Sequence, residues 1–139
     1  MTTQTVLSTY YGYRDAPKAI DWLGKVFGFR PTSQFPDDQG GILHAELRVG
    51  DAVIVVFSDR DGYERAPRKD VTSGFGVYLA VDSKETVDRM YQQAITEGAE
   101  TIWAVGHTEW NYRFRIADPE GFEWTVGTNR PGTPPEDWS

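Results

Sequence analysis

The chain contains no cysteine, and it has only two histidines among its 139 residues. The absence of thiols excludes disulfide scaffolds, thiolate zinc sites, iron–sulfur clusters and cysteine nucleophiles. With so few histidines, a Ser-His-Asp triad has few ways to form. The sequence also lacks the dinucleotide, phosphate-loop, nucleophile-elbow and HExxH motifs, so dinucleotide, phosphate-loop, hydrolase and zincin sites are not indicated.

Long apolar runs are missing as well, and none approaches the roughly 18 residues needed to cross a bilayer. Met1 is followed by Thr2, Thr3 and Gln4 rather than by basic and apolar residues, so we expect no secretory signal and a cytoplasmic protein. Fourteen basic residues stand against 21 acidic ones, which gives a net charge of −7. This charge disfavours nucleic acid as a partner and favours a neutral or cationic small ligand.

The chain length and its 39% hydrophobic content are typical of one compact domain. Two amphipathic helices are predicted within it. The first spans Asp15 to Phe27, with Asp15 as N-cap, and ends at Gly28. The second spans Ser83 to Glu97 and begins at a capping box formed by Asp82 and Glu85.

Short runs of alternating polar and apolar residues predict strands around each helix. The predicted strands cover residues 5–13, 30–35, 42–49 and 52–57 in the first half, and 75–81, 101–105, 113–117 and 122–127 in the second. Both halves read strand, helix, strand, strand, strand, which indicates a duplicated βαβββ module. We predict one domain over residues 1–128, with modules at 5–58 and 74–128, a linker at 59–73, and a mobile tail at 129–139 unless Trp138 docks.

The alternation also assigns the side chains of the strands to two faces. The apolar residues suited to face the helices are Leu43, Ala45, Leu47, Val49, Phe114, Ile116, Phe122, Trp124 and Val126. The residues left on the opposite face are His44, Glu46, Arg48, Val53, Val55, Phe57, Arg113, Arg115, Glu123 and Thr125. A polar face with aromatic patches is therefore expected opposite the helices.

Three segments carry a family resemblance. Residues 15–29 resemble a first-helix signature that ends in Gly28-Phe29, residues 44–51 a third-strand hairpin, and residues 118–128 a last hairpin. Together they resemble the vicinal oxygen chelate superfamily, which includes glyoxalase I, bleomycin-resistance proteins and extradiol dioxygenases, and in particular the bleomycin-resistance-like branch. The resemblance, which covers residues 5–128, implies an α+β fold of two tandem βαβββ modules whose strands form a curved mixed sheet around a cavity, with the helices outside.

Enzymes of that superfamily hold a divalent metal with side chains from the first and last strands of each module. The resemblance puts those positions at Ser8, Val55, Gly76 and Thr125. None of them is His, Glu, Asp or Gln, so we expect no metal or other cofactor and no metal-dependent chemistry of the family's kind.

An alternative metal set remains open in the sequence. His44 and Glu46 lie two apart on one strand face, and His107 follows in a later loop, so one divalent metal held by these three residues would make the protein a glyoxalase-like lyase, isomerase or dioxygenase. The simpler interpretations are a hydrogen bond between His44 and Glu46, or an ion pair between Glu46 and Arg115.

The aromatic content is high, with five Trp and seven Tyr. Trp22 and Trp124 lie inside predicted secondary structure and are interpreted as core or interface residues. Trp103, Trp110 and Tyr112 border a loop where large aromatic residues have no periodic reason to occur. Trp110 is a candidate to border a ligand pocket, to cover the cavity or to pack against a partner subunit.

These observations predict a ligand site with inward tyrosines at Tyr10 and Tyr78, either stacked on a planar ligand or packed in the wall. The predicted ligand-binding residues are Tyr10, His44, Glu46, Phe57, Tyr78, Trp110 and Arg115. The leading hypothesis is a metal-independent binder of a planar or aromatic, neutral or cationic compound, similar to bleomycin-resistance-type sequestering proteins. A structural or regulatory module with a filled cavity is a further alternative. The tyrosine run Tyr10, Tyr11 and Tyr13 offers aromatic surface, and we expect a homodimer.

Overall fold

A computed structural model describes residues 5–62 and 67–132. The chain divides into two compact units, residues 1–65 and 66–139. The first unit contains β1 (Thr9–Tyr13), α1 (Ala16–Phe27), β2 (Arg30–Pro36), β3 (Ile42–Val49) and β4 (Ala52–Ser58). The second contains β5 (Gly76–Ala80), α2 (Lys84–Thr96), β6 (Glu100–His107), β7 (Tyr112–Ala117) and β8 (Glu123–Gly127). Each unit therefore has the predicted βαβββ order.

Each unit forms one four-stranded mixed sheet. The strand orders are β1-β4-β3-β2 and β5-β8-β7-β6, and in both sheets the first pair is parallel and the other pairs are antiparallel. Each helix packs against the strands of its own unit and covers one face of that sheet. The predicted α+β class and the tandem βαβββ repeat are confirmed.

Helix α1 begins and ends where the sequence predicts. The Asp15 carboxylate accepts a hydrogen bond from the Lys18 amide at 3.1 Å, as an N-cap residue does. Gly28 has a φ of 87°, the left-handed conformation that glycine adopts without strain. Between these caps one stripe is buried against the sheet: Ala16, Ala19, Trp22, Leu23, Val26 and Phe27.

The start of helix α2 differs from the prediction by one residue. The N-cap is Ser83, whose hydroxyl accepts a hydrogen bond from the Thr86 amide at 3.2 Å. Asp82, predicted as the cap, accepts from the Thr86 hydroxyl at 2.7 Å. The extended backbone of Ser83, with φ −157° and ψ 160°, places its hydroxyl at the first turn, which is why Ser83 takes this role.

Strand β3 contains a bulge that changes the predicted face assignment. Pro36 pairs with Ile42 and Phe35 pairs with His44, so Leu43 has no partner on β2. Leu43 was expected to face the helix, but its side chain is 67% exposed, and Ile42 is buried instead. One extra residue in the strand reverses the alternation at this point.

Most of the other residues expected to face the helices are buried, while Val49 and Phe122 are half-buried. Ala45, Leu47, Phe114, Ile116, Trp124 and Val126 are buried. The Trp124 indole also donates to the Asp118 carboxylate at 3.1 Å. Strand β1 differs from the expected aromatic surface, because Tyr11 and Tyr13 are buried in the core and only Tyr10 is exposed.

The segments outside the two modules are described in part. In the predicted linker, Lys69 pairs with Thr72, while residues 63–66 lie outside the described residues. In the predicted tail, the Asn129 carbonyl accepts a hydrogen bond from the Tyr78 hydroxyl at 2.6 Å. Residues 133–139, which include Trp138, also lie outside the described part of the chain. No helix within the described ranges is long and apolar enough to span a bilayer.

Candidate functional site

The sheet of the second unit carries a pocket of about 470 Å³ on the face opposite α2. It is built by β5, β6, β7, β8 and the loop that joins β6 to β7. Its lining residues are Gly76, Val77, Tyr78, Trp103, Thr108, Trp110, Asn111, Arg113, Arg115 and Thr125. The volume is in the range of small-molecule sites, and the walls combine aromatic rings with a few polar groups.

Arg115 is fixed within this pocket by an ion pair. Its Nε and Nη2 donate to Glu123 Oε1 at 2.9 Å and 2.5 Å, and its Nη1 donates to Thr125 Oγ1 at 3.0 Å. The Glu123 side chain is fully buried and also accepts from the Thr72 hydroxyl and, at 2.6 Å, from the Ser73 amide. These hydrogen bonds hold the guanidinium in one orientation. Arg115 is therefore a preorganised part of the pocket floor.

The ionisation of Glu123 follows from these contacts. Burial alone would raise the pKa of this carboxyl group, because it disfavours the charged form. The hydrogen bonds from Thr72, Ser73 and Arg115, with the positive charge of Arg115, outweigh burial and hold the pKa of Glu123 below its ordinary value of 4.5. Glu123 is therefore a carboxylate at neutral pH, and it neutralises Arg115.

Trp103 lies beneath both arginines of β7. The guanidinium carbons of Arg113 and Arg115 stand 5.0 Å and 5.1 Å from the centre of its ring, which is cation–π distance. Arg113 also donates through Nη1 to the Ala104 carbonyl at 3.2 Å. Among the described residues, Arg113 forms no ion pair. Its positive charge is therefore held in place but not neutralised.

Asn111 ties the loop between β6 and β7 to the end of β8. Its side-chain oxygen accepts from the amides of Thr128 and Asn129 at 3.1 Å and 3.0 Å, and its amide nitrogen donates to the Tyr78 hydroxyl at 3.3 Å. Burial is the main cause that raises the pKa of Tyr78 above its ordinary value of 10.0, so its hydroxyl stays protonated at neutral pH. These bonds position the loop that carries Trp110 beside Tyr78.

Gly127 makes this arrangement possible. A Cβ atom at Gly127 would lie 2.6 Å from the Tyr78 hydroxyl and 2.7 Å from the Asn111 side-chain oxygen. Both groups would have to move, so the close approach of Tyr78 and Asn111 to β8 requires glycine at this position.

Trp110 lines the pocket while its side chain stays 75% exposed. It lies in a short loop closed by the Thr108 amide, which donates to the Asn111 carbonyl at 2.7 Å. A large aromatic side chain at the rim of a pocket, exposed but on an anchored loop, is available for stacking against a ligand.

In the first unit, the sheet face opposite α1 carries the other predicted residues. The rings of Tyr10 and Phe57 meet edge to face at 6.3 Å between centroids. His44 Nε2 and Glu46 Oε2 are 2.9 Å apart, so the predicted hydrogen bond between them is confirmed. Phe35 lies beside the His44 ring at 6.5 Å. This face is an aromatic patch around a His–Glu pair.

The predicted ligand residues are thus distributed over both units. Tyr78, Trp110 and Arg115 line one pocket in the second unit. Tyr10, Phe57, His44 and Glu46 form two contacting pairs on the sheet of the first unit. Arg115, considered as a partner of Glu46, forms its ion pair with Glu123.

The residues at the expected metal positions do not fit a divalent ion. In the second unit, Arg115 engages both positions: Thr125 accepts its Nη1 hydrogen bond, and a Cβ at Gly76 would lie 2.7 Å from its Nη2. A permanent cation there repels a second cation. In the first unit, Val55 has no side-chain donor atom, and Ser8 offers only a neutral hydroxyl.

The alternative metal set has no support from the local geometry. His107 ends β6 in the second unit, where its ring lies 4.8 Å from the Tyr112 ring. His44 and Glu46 belong to the first unit and bond to each other. Across the described ranges, no group of three or more His, Asp or Glu side chains is placed to hold a metal ion.

The predicted ligand site omitted several lining residues of this pocket, among them Arg113 and Trp103. The alternation places Arg113 on the same sheet face as Arg115, two residues before it. That Arg113 keeps its charge depends on Glu123 neutralising only Arg115, which the alternation does not show. Trp103 pairs with Arg115 across β6 and β7. That pairing lies between two register shifts in β6, which the sequence pattern did not reveal.

Comparison with known proteins agrees with this architecture. Residues 6–126 match the family model described as the Glyoxalase/Bleomycin resistance protein/Dioxygenase superfamily. The chain belongs to this superfamily. The family identified from the three sequence segments is therefore confirmed at the level of the superfamily.

Individual proteins resemble this chain in sequence or in fold. An uncharacterized protein of Mycobacterium bovis is 27% identical over 129 residues, which are 91% of this chain and 85% of that protein. A superfamily enzyme from Burkholderia phytofirmans PsJN has a TM-score of 0.67 at 21% identity, covering 86% of this chain and 94% of its own. The fosfomycin resistance protein FosX of Mesorhizobium loti has a TM-score of 0.69 at 13% identity, with 94% and 95% covered. At these identities the two structures establish the fold alone.

Proposed function

We propose that this protein is a metal-independent small-molecule-binding protein of the bleomycin-resistance-like branch, which sequesters a planar or aromatic compound without changing it. The observation that carries this proposal is Arg115, an ion-paired cation with a 13% exposed side chain that donates to Thr125 and lies against Gly76, two of the positions where an enzyme of the superfamily would hold its metal. Without a Lewis acid or redox centre there, the family's chemistry has no driving group. What remains is a pocket suited to binding.

The pocket walls support an aromatic ligand. Trp103, Trp110 and Tyr78 supply rings, while Asn111 and Thr108 supply polar groups that can orient a ligand. Aromatic pairs contribute on the order of 0.5 to 1.5 kcal/mol beyond their buried area, so two or three stacking contacts give useful affinity.

The test is a binding titration of the wild-type protein and a Trp110→Ala variant. Thermal-shift screening against planar antibiotics first supplies a compound that raises the unfolding midpoint, because a ligand of the native state stabilises it. We expect Trp110→Ala to weaken binding of that compound about tenfold, equivalent to roughly 1.4 kcal/mol. Intrinsic tryptophan fluorescence and calorimetry measure the two affinities.

The matched control is Phe75→Ala, which removes another exposed aromatic side chain of the second unit that does not line the pocket. Phe75→Ala should bind as the wild type does. Equal affinity of all three proteins would remove Trp110 from the site. A screen in which no planar compound stabilises the protein would contradict the proposed function itself.

A further inference from the structure

Resting on the proposed binding function, we propose that the pocket of the second unit selects a planar aromatic compound that carries a carboxylate, and that Arg113 is the residue that binds this anion. The whole chain has a net charge of −7, which favours a cationic ligand. The pocket itself has a different balance of charge.

The ionised groups that line the pocket are both positive. Arg113 and Arg115 are among its lining residues, and the lining contains no Asp or Glu. Glu123 lies behind Arg115, fully buried, and neutralises that guanidinium. The local sum is therefore one positive charge, at Arg113, in a pocket partly shielded from water. A cationic ligand would be repelled there and an anionic one attracted.

The hydrogen-bond donors of the two arginines point to Arg113 as the anchor. Arg115 uses Nε, Nη1 and Nη2 in bonds to Glu123 and Thr125. Arg113 uses only Nη1, in its bond to the Ala104 carbonyl. Its Nε and Nη2 have no partner among the described residues. Two adjacent donors on one guanidinium edge match the two oxygens of a carboxylate, the geometry of a bidentate pair.

The surroundings of Arg113 preorganise it for this task. Trp103 holds the guanidinium carbon 5.0 Å from its ring centre, and the Ala104 carbonyl fixes one end of the group. Less side-chain freedom is then lost when a ligand binds. Trp110 and Tyr78, on the same pocket lining, offer ring surfaces for the aromatic body of the ligand. The pocket therefore joins an anion anchor to an aromatic wall.

The experiment uses three probes that share one ring system and differ in charge: 2-naphthoate, 2-naphthamide and 2-naphthylmethylamine. Calorimetric titration at pH 7 measures the affinity of each for the intact protein. We expect 2-naphthoate to bind about tenfold more tightly than the neutral amide, because a hydrogen bond between charged groups is stronger than one to a neutral group. The amine should bind more weakly than the amide.

Two substitutions at Arg113 test whether this residue causes the preference for 2-naphthoate. Arg113→Gln should lower the affinity for 2-naphthoate about tenfold more than the affinity for the amide, so that the preference for the anion is lost. Arg113→Lys, which keeps the charge but loses the planar pair of donors, should give an intermediate value. Arg89→Gln is the matched control, since Arg89 is exposed on α2, which packs on the opposite face of the sheet. It removes the same charge and should bind all three probes as the wild type does.

The outcomes separate this inference from the proposed function. If the amide or the amine binds as tightly as 2-naphthoate, the inference is overturned while an aromatic binding pocket stands. The same holds if 2-naphthoate is preferred but Arg113→Gln retains the preference, because the anion is then bound elsewhere. If none of the three probes binds, an aromatic pocket is contradicted and both statements fail.

Discussion

Arg115 and Glu123 are the residues on which both the stability and the character of the pocket depend. Glu123 pairs with Ala117 across β7 and β8, and Arg115 pairs with Thr125, so the two charged side chains meet diagonally on the sheet. Their side chains are 13% and 0% exposed, respectively. Removing one member of such a buried pair leaves the other charge uncompensated, which is costly.

We therefore expect Glu123→Gln to lower the free energy of unfolding by about 3 kcal/mol at pH 7. Denaturant titration followed by far-UV circular dichroism measures this loss. The control is Asp21→Asn, which disrupts the exposed ion pair of Asp21 with Lys25 and should change stability little. Equal effects of the two substitutions would show that Glu123 is not the buried counter-ion described above.

The same residue predicts a dependence of stability on pH. The pKa of Glu123 is depressed in the folded protein, so its stabilisation is complete above the unfolded pKa and is lost as pH falls through the lower, folded pKa. Below about pH 4.5 the wild-type protein should lose stability more steeply than Glu123→Gln, which has no carboxyl group to protonate there. Parallel pH profiles of the two proteins would contradict this assignment.

At the scale of the element, the sequence predicted which helices and strands form and missed local irregularities. The caps of α1 were predictable because Asp15 and Gly28 have conformational preferences found at helix ends. The bulge at Leu43 was not, because one extra residue in a strand leaves the composition of the segment unchanged. At α2 the capping box predicted Asp82, but the adjacent Ser83 is also of a type favoured at N-caps, and only the backbone conformation distinguishes the two residues.

Substitutions at these two residues test the assignment of the cap of α2. Ser83→Ala should lower the free energy of unfolding by about 1 kcal/mol, the usual cost of losing an N-cap hydrogen bond. Asp82→Ala should cost less, and Gln92→Ala, at an exposed position within the helix, should have little effect. Chemical denaturation of the three variants gives the order. A larger loss in Asp82→Ala than in Ser83→Ala would restore Asp82 as the cap.

At the scale of the whole molecule, the duplication was visible in the sequence because both halves repeat the order of elements and the alternation of faces. The candidate site was predicted in part: Tyr78, Trp110 and Arg115 line the pocket. The ion pair of Arg115 could not be read from the sequence, since it depends on the reach of Glu123 from the next strand. For the same reason the sequence did not show that Arg113 keeps an unneutralised charge.

A homodimer remains our proposal for the assembly. The tyrosine run of β1 supports a dimer less than expected, because Tyr11 and Tyr13 are buried. However, the first unit exposes three other large side chains, those of Tyr10, Phe35 and Leu43. Exposed apolar clusters often mark contacts between subunits. Light scattering at tens of micromolar protein should give twice the chain mass of 15.7 kDa. The mass of a single chain would contradict the dimer.

We propose that the pocket binds a planar compound without a metal. A comparison of metal-free and metal-supplied protein tests this proposal directly. The purified protein is first analysed for its metal content. One sample is then stripped with chelator, another is supplied with zinc, nickel or manganese, and both are titrated with the compound found by thermal-shift screening. We expect no stoichiometric metal in the purified protein and equal affinity in the two samples. One bound metal per chain, lost in His44→Ala, or an affinity that appears only when metal is supplied, would contradict the claim and favour a metal-dependent enzyme.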